Sequence, residues 1–276
     1  MKLTNITVKN ETHLGVVRDG IVYDVTAAGC KKRMESFIDG SADVFELLSY
    51  LKKASAVEDP TYANLLANPG KLLCVGLNYR SHADKVDLKR ADCPIFFSKF
   101  GNALAPSGSD IGLPPWENSY DYEAELVIVI GREAWNVSVE EAPGCIFGYT
   151  AGNDMSIRES QLRTSQWLVG KTMPGFGPCG PCITTADEFA GSKGIKIRSY
   201  VNGELRQDGN TDEMFFSCAE LISFASRYIK LEPGDLIFTG TPSGVVLEKE
   251  EKVYLKPGDT VEIEIEGIGT LVNRMV

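Results

Sequence analysis

No apolar run in the chain approaches the roughly 18 residues that a membrane-spanning helix needs. The first residues, Met1-Lys2-Leu3-Thr4-Asn5, lack the apolar centre of a secretory signal. Positive charge is also in short supply: 28 Lys and Arg stand against 38 Asp and Glu, a net charge of -10. That deficit argues against a general binder of nucleic acid or of anionic membrane, since both reward excess cations. Small anionic substrates stay open, because a metal or a few local cations can reverse the field in one cleft. The seven cysteines, odd in number and scattered from Cys30 to Cys218, do not form a disulfide framework. They fit reduced structural thiols, and the expected compartment is the cytosol. Histidine is scarce, with only His13 and His82.

What is present reads as a β-rich α+β protein. The 276 residues suffice for a large domain with a small one before it. The expected division is a small α+β lead-in over residues 1–68 and a larger domain over 69–276, with the boundary near Asn68-Pro69-Gly70. In the lead-in, Asp19-Gly20 predicts a hairpin turn, and residues 34–53 carry helical spacing at Phe37, Val44, Leu47, Leu48 and Leu51. Two apolar strands follow, Lys71–Leu77 and Pro94–Lys99, separated by a charged excursion over residues 79–93 of the kind that serves as a lid. Further on, Ser138–Ala142 resembles a helix start, Asn202-Gly203 predicts a hairpin, and residues 216–229 predict an amphipathic helix. Pro233-Gly234-Asp235 and Pro257-Gly258-Asp259 each launch a strand.

The most informative stretch is Asp121-Tyr122-Glu123-Ala124-Glu125, followed by the unbroken run Leu126–Ile130 and Gly131. The run predicts a buried strand, whose alternation puts Glu123 and Glu125 on the face of Val127 and Val129. Two carboxylates led to the rim of a core repel one another, and burying either unpaired is costly. A hard divalent cation between them would resolve the conflict; the pair alone leaves a solvated strand end equally open. A second predicted strand, Ile146–Gly152, ends in Asn153-Asp154, and Asp154 completes a set of three carboxylates suited to Mg²⁺ or Mn²⁺.

Other patterns fail on their mechanics. Gly175–Gly180 spells the dinucleotide fingerprint, but prolines occupy the place of the helix that would face the pyrophosphate. Cys179-Gly180-Pro181-Cys182 spells a redox dithiol, again without the helix start that lowers a thiol's pKa, so a Gly/Pro-rich turn is expected there. His13 is expected at the surface of the lead-in hairpin. His82, in the charged excursion, suits either a surface position or a catalytic one. Lys171, after Trp167-Leu168-Val169, suits either a surface position or a partly desolvated cation for a substrate carboxylate.

In order and without a gap, residues 70–276 resemble the fumarylacetoacetate hydrolase family. The motifs are Cys74–Tyr79 with His82-Ala83, Asp121–Leu126, Gly148-Tyr149 with Asn153-Asp154, Gly170-Lys171-Thr172, Val201–Gln207 and Gly240–Val245. The resemblance implies a mixed β-sandwich roll, usually a homodimer, with Mg²⁺ (or Mn²⁺, or Ca²⁺) held by Glu123, Glu125 and Asp154. It implies His82 as general base on a lid, and Lys171, Gln161 and Thr241 as contacts to the substrate's carboxylate and oxo groups, with Arg158 nearby. Two positions depart from the pattern: Lys85 stands where some members carry an acid three residues after the histidine, and Gly175 where a threonine is common. The expected activity is divalent-metal-dependent hydrolysis of a C–C bond in an acylpyruvate-like oxo acid. Oxaloacetate-type decarboxylation and isomerisation are the close alternatives, and a non-catalytic ligand-binding domain is the distant one. The expected partner is a small oxo acid, with neither nucleic acid nor membrane.

Overall fold

The run that closes on Gly131 becomes the strand Ala124–Ile130, buried along its whole length, in a computed structural model that describes residues 1–85, 92–189 and 194–276 apart from the side chains of Ala83 and Asp84. Its neighbours are the antiparallel strands Ile146–Asn153 and Leu236–Phe238. Alternation sorts its side chains as expected. Ala124, Leu126, Ile128 and Ile130 enter one core with Tyr149, Ile263 and Leu271, while Val127 and Val129 enter another with Leu3, Phe37, Leu72 and Phe238. A slip of one residue would exchange the two sets and carry both glutamates to the wrong face.

These strands lie in an eleven-stranded mixed sheet that runs from Ala56–Val57 through the N-terminal strands, Gly177–Thr185 and Ala124–Ile130 to Leu72–Gly76 and the edge strand Ile95–Lys99. The N-terminal strand Lys2–Val8 joins that sheet by pairing with Gly177–Thr185. A five-stranded sheet that includes Lys196–Val201, Glu204–Asn210, Thr260–Ile265 and Gly269–Met275 packs against one face. Short helices of the N-terminal segment cover the other, through Met34, Phe37 and Leu47. The fold is thus β-rich α+β; the longest described helix, Cys218–Ser226, has nine residues. Among the described residues no helix is long and apolar enough to cross a membrane.

Several expectations change in detail. Hairpins form at Asp19-Gly20 and Asn202-Gly203, and both Pro-Gly-Asp turns launch strands. Each turn is closed by its aspartate: Asp235 accepts from Glu232 N and Asp259 from Lys256 N. The helix expected over 34–53 is instead Met34–Ile38 and, after Gly40, a turn leading into Leu47–Leu51. The helix expected over 216–229 runs over Cys218–Ser226, its start set by a capping box of Ser217 and Glu220. Near Ser138 only the 3₁₀ turn Ala142–Cys145 forms, with Pro143 at its beginning. Cys179 and Cys182 lie within the strand Gly177–Thr185, not in a turn, and burial raises both thiols, Cys182 to about 11. Such thiols are poor thiolates and poor redox centres. Residues 86–91 of the expected lid lie outside the described residues; Arg80–Lys85 before them form a short helix.

Candidate active site

Strand pairing builds the acidic trio. Ala124 faces Asn153 and Glu125 faces Gly152 across the ladder. Asp154, one residue past the strand, donates its N–H to Glu123 O at 3.0 Å, and Asn153 Oδ1 accepts from Glu123 N at 3.0 Å. One ligand atom each from Glu123, Glu125 and Asp154 then lies within 4.8 Å of the others, with all three residues buried. Glu125 is held from a third strand end, accepting from Gly240 N at 2.8 Å. Gly240 has φ +96°, and a Cβ there would stand 2.9 Å from Asn78 Cβ, so no other residue fits this turn without strain.

The excursion that follows Asp154 returns cations to the trio. Lys171, ending the helix Leu168–Lys171, donates to Glu123 Oε2 at 2.8 Å and Asp154 Oδ2 at 2.7 Å. Arg158 Nη1 lies 2.6 Å from Glu123 Oε1, and its Nε donates to Asp121 Oδ2 at 2.8 Å. Burial favours the neutral form of Glu123, but Lys171 and Arg158 outweigh it and hold the carboxyl at about 2. Glu125 behaves oppositely: burial first, then Asp154 and Glu123, push it well above the usual carboxylate range. No cation among the described residues lies within ion-pairing distance of Glu125, so that carboxyl, unlike those of Glu123 and Asp154, is left without a cationic partner. Glu123, Glu125 and Asp154 together would offer the oxygen ligands that suit a hard divalent cation.

A cavity of about 400 Å³ opens on this cluster, lined by Glu123, Glu125, Arg158, Gln161, Lys171, Thr241 and His82. Every residue proposed for the site from the sequence lines it except Asp154, which sits just behind Lys171. Gln161 Oε1 accepts from Arg158 Nη1 at 2.9 Å. Thr241 Oγ1 donates to Ala124 O and accepts from Gln207 Nε2. His82 is buried, and its Nδ1 hydrogen-bonds Glu248 Oε1, while Gly244 N donates to Glu248 Oε2 at 2.6 Å. The carboxylate beside His82 is thus Glu248, from 166 residues away in the chain, and not the nearby position held by the exposed Lys85.

Three further residues join the cluster through contacts that the sequence does not specify. Asp121 accepts from the N–H groups of Tyr122, Val246 and Leu247 as well as from Arg158, tying the Glu248 segment to the trio. Gln207 ties Ala124 to Thr241. Lys99 is fully buried and touches Asp154; its one sequence cue is a lysine closing the apolar strand Ile95–Lys99. His13, expected at the surface, is instead largely buried, its Nδ1 2.7 Å from Asp24 Oδ2.

Known proteins resemble this chain in sequence and in fold. A sequence profile of the fumarylacetoacetate (FAA) hydrolase C-terminal domain matches residues 71–276. A mitochondrial oxaloacetate tautomerase of Bos taurus is 38% identical over 278 residues, covering 96% of this chain and 87% of that protein. The solved fumarylacetoacetate hydrolase of Exiguobacterium antarcticum superposes with a TM-score of 0.89 at 31% identity, covering 100% of this chain and 99% of its own. Fumarylpyruvate hydrolase of Pseudomonas aeruginosa, solved with Mn²⁺ and pyruvate, superposes with a TM-score of 0.68 at 34% identity, covering 75% of this chain and 89% of its own.

Proposed function

The chain belongs to the fumarylacetoacetate hydrolase family, and from that premise we propose metal-assisted enol chemistry on a small 2-oxo acid, with keto–enol tautomerisation of oxaloacetate as the leading reaction. The observation that carries this reading is the opening of His82, braced at Nδ1 by Glu248, onto the cavity that Glu123, Glu125, Arg158 and Lys171 also line. Mg²⁺ or Mn²⁺ held by Glu123, Glu125 and Asp154 would supply stabilisation of negative charge on the 2-oxo oxygen. Lys171 and Arg158 supply fixed positive charge for the substrate's carboxylates; Arg158 Nη2 is buried and has no acceptor among the described residues.

Glu248 keeps the ring proton of His82 on Nδ1, which leaves Nε2 as the base. Nε2 takes a proton from C3 of the substrate. The electron pair of that C–H bond becomes the C2–C3 double bond, the carbonyl pair moves onto O2, and O2 takes the proton back from Nε2–H of His82, which gives the enol and restores the neutral ring. The reverse order returns the ketone.

A second reading, C–C hydrolysis of an acylpyruvate, draws on the same histidine–carboxylate pair and on the hydrolases among the structural neighbours. There His82 deprotonates water that adds to the distal carbonyl, and the C–C bond breaks with its electrons moving toward the 2-oxo group. Decarboxylation would release CO₂ instead. Metal-stripped protein, with and without added Mn²⁺, should be given oxaloacetate and an acylpyruvate while enol absorbance, CO₂ and acid fragments are followed. Tautomerisation predicts metal-dependent enol–ketone conversion with neither CO₂ nor fragments; equal rates with and without metal would overturn it. A new acid fragment would favour hydrolysis. The reading includes a homodimer acting in the cytosol on a free small acid, with neither nucleic acid nor membrane as partner. Light scattering tests the dimer, and the tautomerase of Bos taurus, named as mitochondrial, supplies the rival compartment.

A further inference from the structure

Asp154 lies between two buried lysines. Lys171 approaches Oδ2 from the cavity side, while Lys99 stands 2.6 Å from Oδ1. An ammonium group has three donors. Those of Lys99 go to three backbone carbonyls: Met155 O at 3.1 Å, Phe176 O at 2.7 Å and Lys171 O. Its contact with Asp154 is an ion pair, and Oδ1 accepts no hydrogen bond among the described residues. The three carbonyls belong to the turn after Asp154, the end of the helix carrying Lys171, and the turn entering Gly177–Thr185. Neighbouring bonds strap the same segments: Phe100 N donates to Thr172 Oγ1, and Asn102 Nδ2 to Thr172 O. The stem of Lys99 passes over Gly177, where a Cβ would lie 3.2 Å from Lys99 Cδ.

We propose that Lys99 is a positioning residue of the site: it fixes the backbone that presents Asp154 as a metal ligand and Lys171 beside it. An orienting residue behind a metal ligand typically controls affinity by 10–100-fold. A cation whose donors are all spent on main chain cannot itself turn to substrate, so Lys99 holds the frame while Lys171, bonded to side chains at the cavity, faces the substrate. The inference rests on the metal-assisted reading given above.

The test is Lys99→Met, which keeps the stem and removes the ammonium. Mn²⁺ affinity is measured by titration on metal-stripped protein, alongside the melting of the metal-free protein and kcat and KM. Positioning predicts Mn²⁺ binding weakened about 10–100-fold, with the kcat loss outrunning any rise in KM, because Lys99 does not touch substrate. The loss of a nearby positive charge, acting alone, would tighten Mn²⁺ binding. Unchanged or tighter Mn²⁺ binding, even with a lowered melting point, overturns the proposal. Should Lys99→Met fail to fold, Gly177→Ala takes its place by displacing the lysine stem: weakened Mn²⁺ binding supports the proposal and unchanged binding overturns it. Wild-type protein that binds no Mn²⁺ sinks the metal-assisted reading itself, a result separate from failure at Lys99 alone.

Discussion

Each of the two histidines meets a carboxylate through Nδ1, one in the N-terminal hairpin and one at the cavity. His13 and Asp24 are 16% and 9% exposed, His82 and Glu248 7% and 5%, so burial scarcely separates the pairs. Their surroundings do. Asp24 spends its other oxygen on Ala27 N and closes a turn. Glu248 spends its own on Gly244 N, beside a cavity that also holds two glutamates, Arg158 and Lys171. Among the described residues, the acidic trio beside that cavity is the one cluster able to hold a metal. A histidine braced by a carboxylate is thus common to a structural turn and to the cavity; what sets the second apart is a glutamate without a cationic partner among the described residues and open space beside it.

The largest effects should fall on the cavity pair. Chelation should abolish turnover and Mn²⁺ restore it. His82→Gln should lower kcat about 100- to 10,000-fold, the usual worth of a positioned proton carrier, whereas His13→Gln should leave kcat unchanged. Equal losses from the two substitutions would erase the distinction drawn between them. Glu248→Gln should cost less than removal of the ring, since the base remains but its tautomer is no longer fixed.

Next come opposite effects from two glutamates two positions apart. Glu125 titrates above its ordinary 4.5 in the folded chain, so its ionisation costs stability once the pH rises past 4.5. Glu125→Gln should therefore stabilise the metal-free protein at neutral pH, keeping an acceptor for Gly240 N and offering an amide to its acidic neighbours. Glu123 is held at about 2, so it contributes stability above 4.5 that is lost as the pH falls toward 2. Glu123→Gln should destabilise, because Lys171 and Arg158 lose a partner. Urea unfolding of metal-free protein at pH 7 reads both signs, and shifts of the same sign would break this account of the trio's charge.

Much of this was legible in the sequence because it is encoded locally. The apolar run Leu126–Ile130 specifies a strand, and period-two alternation then puts Glu123 and Glu125 on one face. Asp154 follows a second strand by one residue, and antiparallel pairing carries it to the same rim. Glu248 and Lys99 were not legible in this way. Their partners lie far along the chain, and a lone glutamate after Val246-Leu247 or a lysine closing a strand has the spelling of an exposed residue. The helix over 34–53 was misread because spacing is silent about Gly40, where the chain turns at φ +74° and breaks the helix in two. Cys179 and Cys182 likewise carry the letters of a turn, yet both lie in the strand Gly177–Thr185, which pairs with Ile146–Asn153 on either side of an irregularity.

The smallest effect sharpens the comparison from the hairpin side. In Asp24→Asn the amide oxygen can still accept from Ala27 N, and the amide nitrogen can donate to His13 once the ring shifts its proton to the other nitrogen. What is lost is the charge-assisted part of one largely buried hydrogen bond, about 1 kcal/mol, read as a lower urea midpoint with an unchanged slope. Turnover and Mn²⁺ affinity should not move, because the hairpin contributes no side chain to the cavity. Lys2–Val8 does pair with Gly177–Thr185, whose first residue lies under the stem of Lys99, so a route for coupling exists through the sheet. A fall in Mn²⁺ affinity in Asp24→Asn would mean that this route transmits strain, and that the hairpin belongs to the site's support as well as to the core.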